Sequence, residues 1–394
     1  MGTLLFVSSN TALLSSLVIL LLIVLLLGFI IKRFNQPYFV AYIIAGIILG
    51  PYVFKIFNNP NTIATVGELG LIIQMFFIGT KMEIQTFANN IRKPLIGVLA
   101  QLFLSFVFIA VIGILYSWSV KEFLLFTFII SLSSSAIILD YLEKNNEVSQ
   151  PLGLLTSGIL VLQDFLLAPM LLTINFLGSK KLNPYTILSL ITSLILITFL
   201  LTKIVRKERI SLPFPATLTN DHELQVFVAL LFCFGFAWLT QLINLSAAIG
   251  ALIAGILISQ SNSMKWLDRH LMPFRVFFLS LFFVSIGLQI NVAFVIRHLP
   301  LVLLLVAVIL IINSAINAIV FRLLKESWRN SIYAGALLSQ IGEFSLVLCM
   351  VARSQQMVIE FWYQLTLAVV SATMLITAIW INIIRKYIYL PCKK

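Results

Sequence analysis

Two carboxylates stand where acids are rare. In GILVLQDFLLAPMLL, residues 158–172, the Gln163–Asp164 pair interrupts an otherwise apolar run, and Glu343 lies in SQIGEF (339–344) inside another. Of the chain's fourteen acids, these two fall well inside long apolar stretches, and no Lys or Arg lies at comparable depth. A central Asp costs roughly 2.5–3.5 kcal/mol on membrane-insertion scales, and more if left charged and dry. Without a basic partner, Asp164 can lose its charge in two ways. It can take a proton, the form that burial favours, or bind a monovalent cation whose water shell is replaced by nearby oxygens. The two occupants exclude each other. A site of this kind, opened alternately to each side of a membrane, exchanges a cation for a proton.

Hard cations take oxygen ligands. Gln163, together with Ser133, Ser134 and Ser135 of SLSSSA (131–136), offers neutral oxygens, and Asn313 of NSAIN (313–317) adds another. Pro169 lacks an N–H and so frees the carbonyl of Phe165, one residue from Asp164. Ser339, Gln340 and Gly342 weaken a helix just before Glu343, where a half-helix N-terminus carries about +0.5 of a charge. Glu343 is read as compensating that charge without touching substrate. Plainer roles stand beside these: serine can bond back to its own helix, and an asparagine can simply join two helices.

The elements that position these groups follow from hydropathy. The 394 residues are 61% hydrophobic and 10% charged, whereas soluble chains are about one quarter charged. Apolar runs of roughly 20 residues read as membrane-spanning helices. Thirteen are expected, at 11–34, 37–51, 66–83, 94–116, 121–142, 151–177, 184–205, 222–243, 245–260, 270–290, 300–324, 329–350 and 360–387. Pro37, Pro94, Pro151, Pro184, Pro273 and Pro300 sit at or near their starts, where a missing N–H costs least. The first run is too long for a signal peptide and lacks a basic leader, so it counts as helix 1. The chain is thus an all-α polytopic membrane protein.

Twenty of the 26 basic residues collect on one side if the N-terminus lies outside; the other six are Lys55, Lys121, Lys180, Lys181, Arg297 and Arg353. That asymmetry predicts an outside N-terminus and a cytoplasmic C-terminus. The net charge of +12 then anchors one face to anionic membrane lipids, and no nucleic-acid partner is implied. Cys233, Cys349 and Cys392 form no spacing motif, and His222, His270 and His298 are scattered. No cofactor, resident metal or enzymatic nucleophile is indicated.

The chain also resembles itself. FFIGTKMEI (76–84) aligns with FFVSIGLQI (282–290), and the same offset of 206 carries Pro94 to Pro300, Leu132 to Leu338 and Ser133 to Ser339. AGIIL (45–49) matches AGILI (254–258) near that offset. Corresponding helices lie seven spans apart, an odd number, so they run in opposite directions. The expected plan is a 6+1+6 inverted repeat: 1–183, a linking helix in 184–210, and 211–394. Such repeats place transport sites near the midplane, where they meet. Helices 5 and 12 carry the serine and SQIGEF weak points at equivalent places, so both are expected to be discontinuous and to cross.

VGELGLIIQMFFIGTKME (66–83), LSSSAIILDYLEKNNEVSQPLG (132–153), VLQDFLLAP (161–169) and SQIGEF resemble the monovalent cation:proton antiporter-2 family, in particular its Kef-type potassium/proton branch. The resemblance implies a sodium/proton antiporter-like fold in a prokaryotic inner membrane. It also implies a homodimer, with a core of helices 4–6 and 11–13 and a dimer scaffold of helices 1–3 and 8–10. Asp164 becomes the ion- and proton-binding residue, exchanging K+ in preference to Na+ because Gln163 stands where sodium/proton relatives commonly have a second carboxylate. Such antiporters often carry a lysine where this chain has Asn313, so one proton per cation, hence electroneutral exchange, is expected. Kef-type systems usually append a nucleotide-binding regulatory domain after the last helix, where this chain has YLPCKK, so the resemblance implies that such regulation is either absent or supplied by a subunit or domain outside this chain. The rival function is a K+ channel or gated cation leak on the same fold.

Overall fold

The computed structural model describes residues 2–33, 38–81, 92–178, 222–242, 247–259 and 271–389. Among them there is no strand. The helices are α1 (Gly2–Arg33), α2 (Tyr38–Leu49), α3 (Pro60–Lys81), α4 (Arg92–Leu115), α5 (Val120–Ser131), α6 (Ser135–Lys144), α7 (Pro151–Gly178), α8 (His222–Leu242), α9 (Ala247–Ser259), α10 (Met272–Gln289), α11 (Val292–Arg297), α12 (Leu299–Leu323), α13 (Trp328–Leu337), α14 (Glu343–Ser354) and α15 (Glu360–Ile384). Five residues of π-helix, Arg385–Tyr389, extend α15. Six helices among the described residues are long and apolar enough to cross a membrane. The linking helix expected at 184–205 lies outside the described residues, and the six-residue α11 was not foreseen.

Capping chemistry sets several boundaries. Ser119 and Glu122 form a reciprocal capping box at the start of α5, satisfying two orphan donors of its first turn. Ser327 and Asn291 cap α13 and α11 through side-chain oxygens. Pro at the first or second position opens α10 and α12, where its missing donor costs nothing.

Packing sorts the helices into two sets. In the first, α2 and α3 lie against α10, α9 lies against α3, and α1 and α8 flank them. The second contains α4–α7 and α12–α15, and the sets meet where α9 touches α7 and α15 touches α2. Within the first set, Gly46 abuts Gly287 and Gly79 abuts Gly255. A Cβ added to Gly46 would lie 2.2 Å from Val284 O, and one added to Gly255 would lie 2.1 Å from Phe76 O. Lipid-like surroundings give no hydrophobic drive between helices, so close backbone contact of this kind supplies the attraction. Large apolar side chains remain outside on α1, α4, α8 and α12, among them Val18, Leu21, Phe103, Val111, Phe227, Leu231, Leu303 and Leu304. In water such faces would aggregate; against acyl chains they are at rest.

The end of the second set that holds the π-helix is tied by one buried acid. Glu147, between α6 and α7, is only 5% exposed. It accepts Arg385 Nη2 at 2.9 Å and Arg385 Nε at 3.1 Å, and the Tyr333 hydroxyl at 2.5 Å. Tyr389 stacks on Tyr333 with ring centroids 4.1 Å apart. Glu147→Ala leaves a phenol and a guanidinium without their acceptor. Arg385 is partly exposed and can rehydrate, so a loss of about 2–3 kcal/mol is expected. A lowered thermal midpoint of the detergent-solubilised protein measures it; an unchanged midpoint contradicts this role.

Candidate functional site

Two helices stop and restart inside the second set. Between α5 and α6 the backbone is extended at Leu132 (φ −90°, ψ 122°) and Ser134 (φ −76°, ψ 108°). Between α13 and α14 it runs from Leu338 to Gly342, which has φ −78° and ψ 168°. Each interruption exposes carbonyls that an intact helix would satisfy internally, and in an apolar interior they need other donors.

The donors come from neighbouring helices. At the end of α5, Ile129 O accepts Ser345 Oγ at 2.7 Å, and Ile130 O accepts Asn313 Nδ2 at 3.0 Å. Ser131 O accepts Gln101 Nε2 at 3.1 Å, and Leu132 O accepts the Gly342 N–H at 2.7 Å. At the end of α13, Leu338 O accepts both Ser133 Oγ and Asn317 Nδ2 at 3.1 Å. The two breaks therefore satisfy one another directly. Gly342 lies so close to the other break that an added Cβ would sit 2.6 Å from Ser133 C and 2.8 Å from Ser134 N.

Gln163 belongs to this scaffolding. Its Oε1 accepts the Ser133 N–H at 2.9 Å, and its Nε2 donates to Gln101 Oε1 at 2.7 Å. Gln101 in turn holds Ser131 O, so the pair forms a brace between α4 and α7 that closes on both sides of the α5–α6 break. Gln163→Leu would orphan a buried N–H and a buried amide oxygen, at roughly 1–3 kcal/mol each. A lower thermal midpoint is expected; a variant as stable as the parent would contradict the brace.

Asp164 follows on α7, which continues unbroken past it with Pro169 inside. Its Oδ1 is buried and accepts no hydrogen bond among the described residues. Ser135 and Glu343 are the polar groups whose electrostatics act on the carboxylate. Ser135 is the first residue of α6 and Glu343 the first of α14, so both half-helices begin beside Asp164 and direct their positive ends there. Glu343 is 6% exposed, with Ser134 and its own N–H as neighbours and Oε2 without a partner.

Of the residues expected at the site, the structure brings Asp164, Ser135, Glu343 and Ser134 together. Ser134 also caps α6 by accepting the Ile137 N–H at 3.3 Å. Gln163, Ser133 and Asn313 direct their side chains to backbone groups of the breaks, and Ser339 Oγ bonds to Ala336 O at 2.8 Å within its own turn. Gln340 is fully buried, and neither end of its amide has a partner. Gln101, Asn317 and Ser345 were missed as site-building residues. Gln101 carried a signal, since a polar side chain within an apolar span must find a partner.

Comparison with known proteins follows the same lines. The family model described as sodium/hydrogen exchanger, transmembrane, matches residues 18–386. The chain is 30% identical over 359 residues to the iron transporter MagA of Paramagnetospirillum magneticum, covering 91% of this chain and 82% of that one. It is 27% identical over 362 residues to K(+) efflux antiporter 5 of Arabidopsis thaliana, covering 91% of this chain but 64% of the relative, so it spans less than two thirds of that protein's length. The solved structure of the sodium proton antiporter MjNhaP1 from Methanocaldococcus jannaschii superposes with a TM-score of 0.66 at 16% identity, covering 95% of this chain and 99% of the other.

Proposed function

The chain belongs to the transmembrane sodium/hydrogen exchanger family, a family of membrane transporters and not of enzymes, and from that premise we propose that it is a secondary active monovalent cation/proton antiporter of the Kef type. K+ is favoured over Na+, and proton and cation compete for Asp164. The observation that carries this reading is the buried Asp164 carboxylate at the start of two half-helices, with Oδ1 unpartnered and no basic side chain paired to it among the described residues. A bare carboxylate cannot pass through an apolar barrier at acceptable cost, whereas a protonated or cation-loaded one is neutral. Alternating access is then open to two loaded forms and closed to the empty one, which couples the opposed fluxes.

The finer architecture supports the mechanism. Gly46 and Gly255 lie in the matched AGIIL and AGILI segments, and the α2–α10 and α3–α9 contacts pair them with Gly287 and Gly79. Equivalent contacts made twice are what an inverted repeat of 1–183 and 211–394 around a linker in 184–210 requires. The set α4–α7 with α12–α15 is the transport core. The set α1–α3 with α8–α10 is the scaffold through which two protomers pair, with the N-terminus outside. Asn313 is neutral and spends its amide on Ile130 O, so no internal cation balances Asp164 in an empty site. One proton per cation follows.

MagA is named an iron transporter, but carboxylate, hydroxyl and amide oxygens suit a hard monovalent cation better than Fe2+, which favours imidazole beside carboxylate, and no group of three or more His, Cys, Asp or Glu side chains converges among the described residues. The test is reconstitution in liposomes with pH- and voltage-sensitive dyes, titrating K+, Na+, Rb+, Li+ and Fe2+. K+-dependent proton movement that persists when valinomycin clamps the voltage is expected. Cation current without proton movement would establish the channel instead.

A further inference from the structure

We infer that Gln340, not Gln163, is the amide that meets the cation and selects among cations; the inference rests on the Asp164 site proposed above. Three observations converge on it. Gln340 is 0% exposed, and both Oε1 and Nε2 lack a hydrogen-bond partner. Among the buried amides of the described residues it is the one with both ends left open. A polar side chain shut away from water without partners calls for an explanation, and membrane interiors reserve that arrangement for function.

Gln163, the glutamine that flanks Asp164 in sequence, is already committed at both ends, to Ser133 and Gln101. It braces the break.

Gln340 is also held close to the α5–α6 break without being used there. Two residues before it, Leu338 O is fixed by Ser133 Oγ and Asn317 Nδ2; two residues after it, the Gly342 N–H is fixed to Leu132 O. The stretch between is pinned at both ends against the α5–α6 break. Two further buried carboxylate oxygens, Asp164 Oδ1 and Glu343 Oε2, stand without donors. An amide supplies what this set lacks: a neutral oxygen for a partly dehydrated cation and N–H donors for the carboxylates. In the cation-loaded state Gln340 Oε1 joins the ion's shell, while Nε2 steadies a carboxylate oxygen.

The test compares Gln340→Leu, Gln340→Asn, Gln163→Leu and Asp164→Asn in reconstituted liposomes. For each, it measures K0.5 for K+, Na+ and Li+ at fixed pH, maximal exchange rate and thermal midpoint. Losing a hydrogen bond or ligand to a charged group is worth roughly tenfold or more. Gln340→Leu is therefore expected to raise K0.5 for K+ about tenfold and change the K+/Na+ ratio. It should not lower the midpoint, because the replaced amide had no protein bonds to lose. Gln163→Leu is expected to do the reverse, losing stability while keeping the ion ratio. If Gln340→Leu is stable but too slow to titrate, Gln340→Asn decides: an altered ratio supports the inference, and the parental ratio overturns it. Unchanged K0.5 values and ratio in Gln340→Leu, or a drop in midpoint that accounts for its lost activity, also overturn it. Asp164→Asn separates the two levels. If that variant is inactive while Gln340→Leu behaves as the parent, only the role of Gln340 fails; if Asp164→Asn still exchanges, the underlying site fails.

Discussion

Asp164→Asn is expected to reduce cation-dependent proton movement in liposomes to the level of empty vesicles, at least a hundredfold. The amide keeps the shape of the carboxylate but can neither release a proton nor neutralise a cation. Both loaded forms of the transport cycle disappear together. The same change removes an ionisable group from an apolar setting where its charge is costly, so the thermal midpoint should hold or rise. This pairing of lost transport with retained stability separates a substrate-binding carboxylate from a structural acceptor. A variant that lost both would place Asp164 among the scaffolding residues instead.

Gly342→Ala is expected to be severely damaging, because its one added methyl falls between the two helix breaks. The added Cβ would lie 2.6 Å from Ser133 C, 2.8 Å from Ser133 O and 2.8 Å from Ser134 N. All three are backbone atoms, so no flexible side chain can swing aside. Relief requires the breaks to separate, and that stretches the 2.7 Å bond from the Gly342 N–H to Leu132 O. Overpacking combined with a lost buried hydrogen bond predicts about 3 kcal/mol or more of destabilisation. Exchange should be lost as well, because the start of α14 moves from Asp164. Gly235→Ala serves as the control. A Cβ there meets nothing within 4 Å, and alanine inside a helix is favoured by roughly 0.5–1 kcal/mol. Thermal midpoints of the two variants, measured side by side, test the contrast. Equal midpoints would mean that the breaks are not in tight contact.

Much of the architecture could be read from composition, because the bilayer leaves little choice: an apolar run of sufficient length must satisfy its own backbone. The sequence segments at 94–116, 151–177 and 300–324 correspond to α4, α7 and α12 within a few residues. The interruptions were marked less directly. LSSSA and SQIGEF are short polar islands whose matching places in the repeat made them conspicuous, yet apolar content alone draws 121–142 and 329–350 as unbroken.

Side-chain direction was the part that sequence concealed. Gln163 adjoins Asp164, and adjacency suggested a shared ligand role. On a helix, however, neighbouring residues point about 100° apart, and Gln163 turns to the α5–α6 break while Asp164 faces the half-helix starts. Glu147 shows a second kind of blindness. It lies between helices, where an acid reads as solvated, but it is buried by Tyr333 and Arg385, 186 and 238 residues further along the chain. No local pattern carries such a contact. Asn313 was legible as a departure from a lysine, but not as the donor that satisfies Ile130 O.

Competition between proton and cation for the Asp164 carboxylate is tested most directly by the pH dependence of the apparent K0.5 for K+ in liposomes of fixed orientation. As pH falls, protons occupy a growing share of the sites, and more cation is needed to displace them. K0.5 should therefore rise, approaching about tenfold per pH unit on the acid side, while the maximal rate at saturating K+ stays constant. A K0.5 that stays flat across pH, with acid lowering only the maximal rate, would show that proton and cation occupy separate sites and would contradict the account.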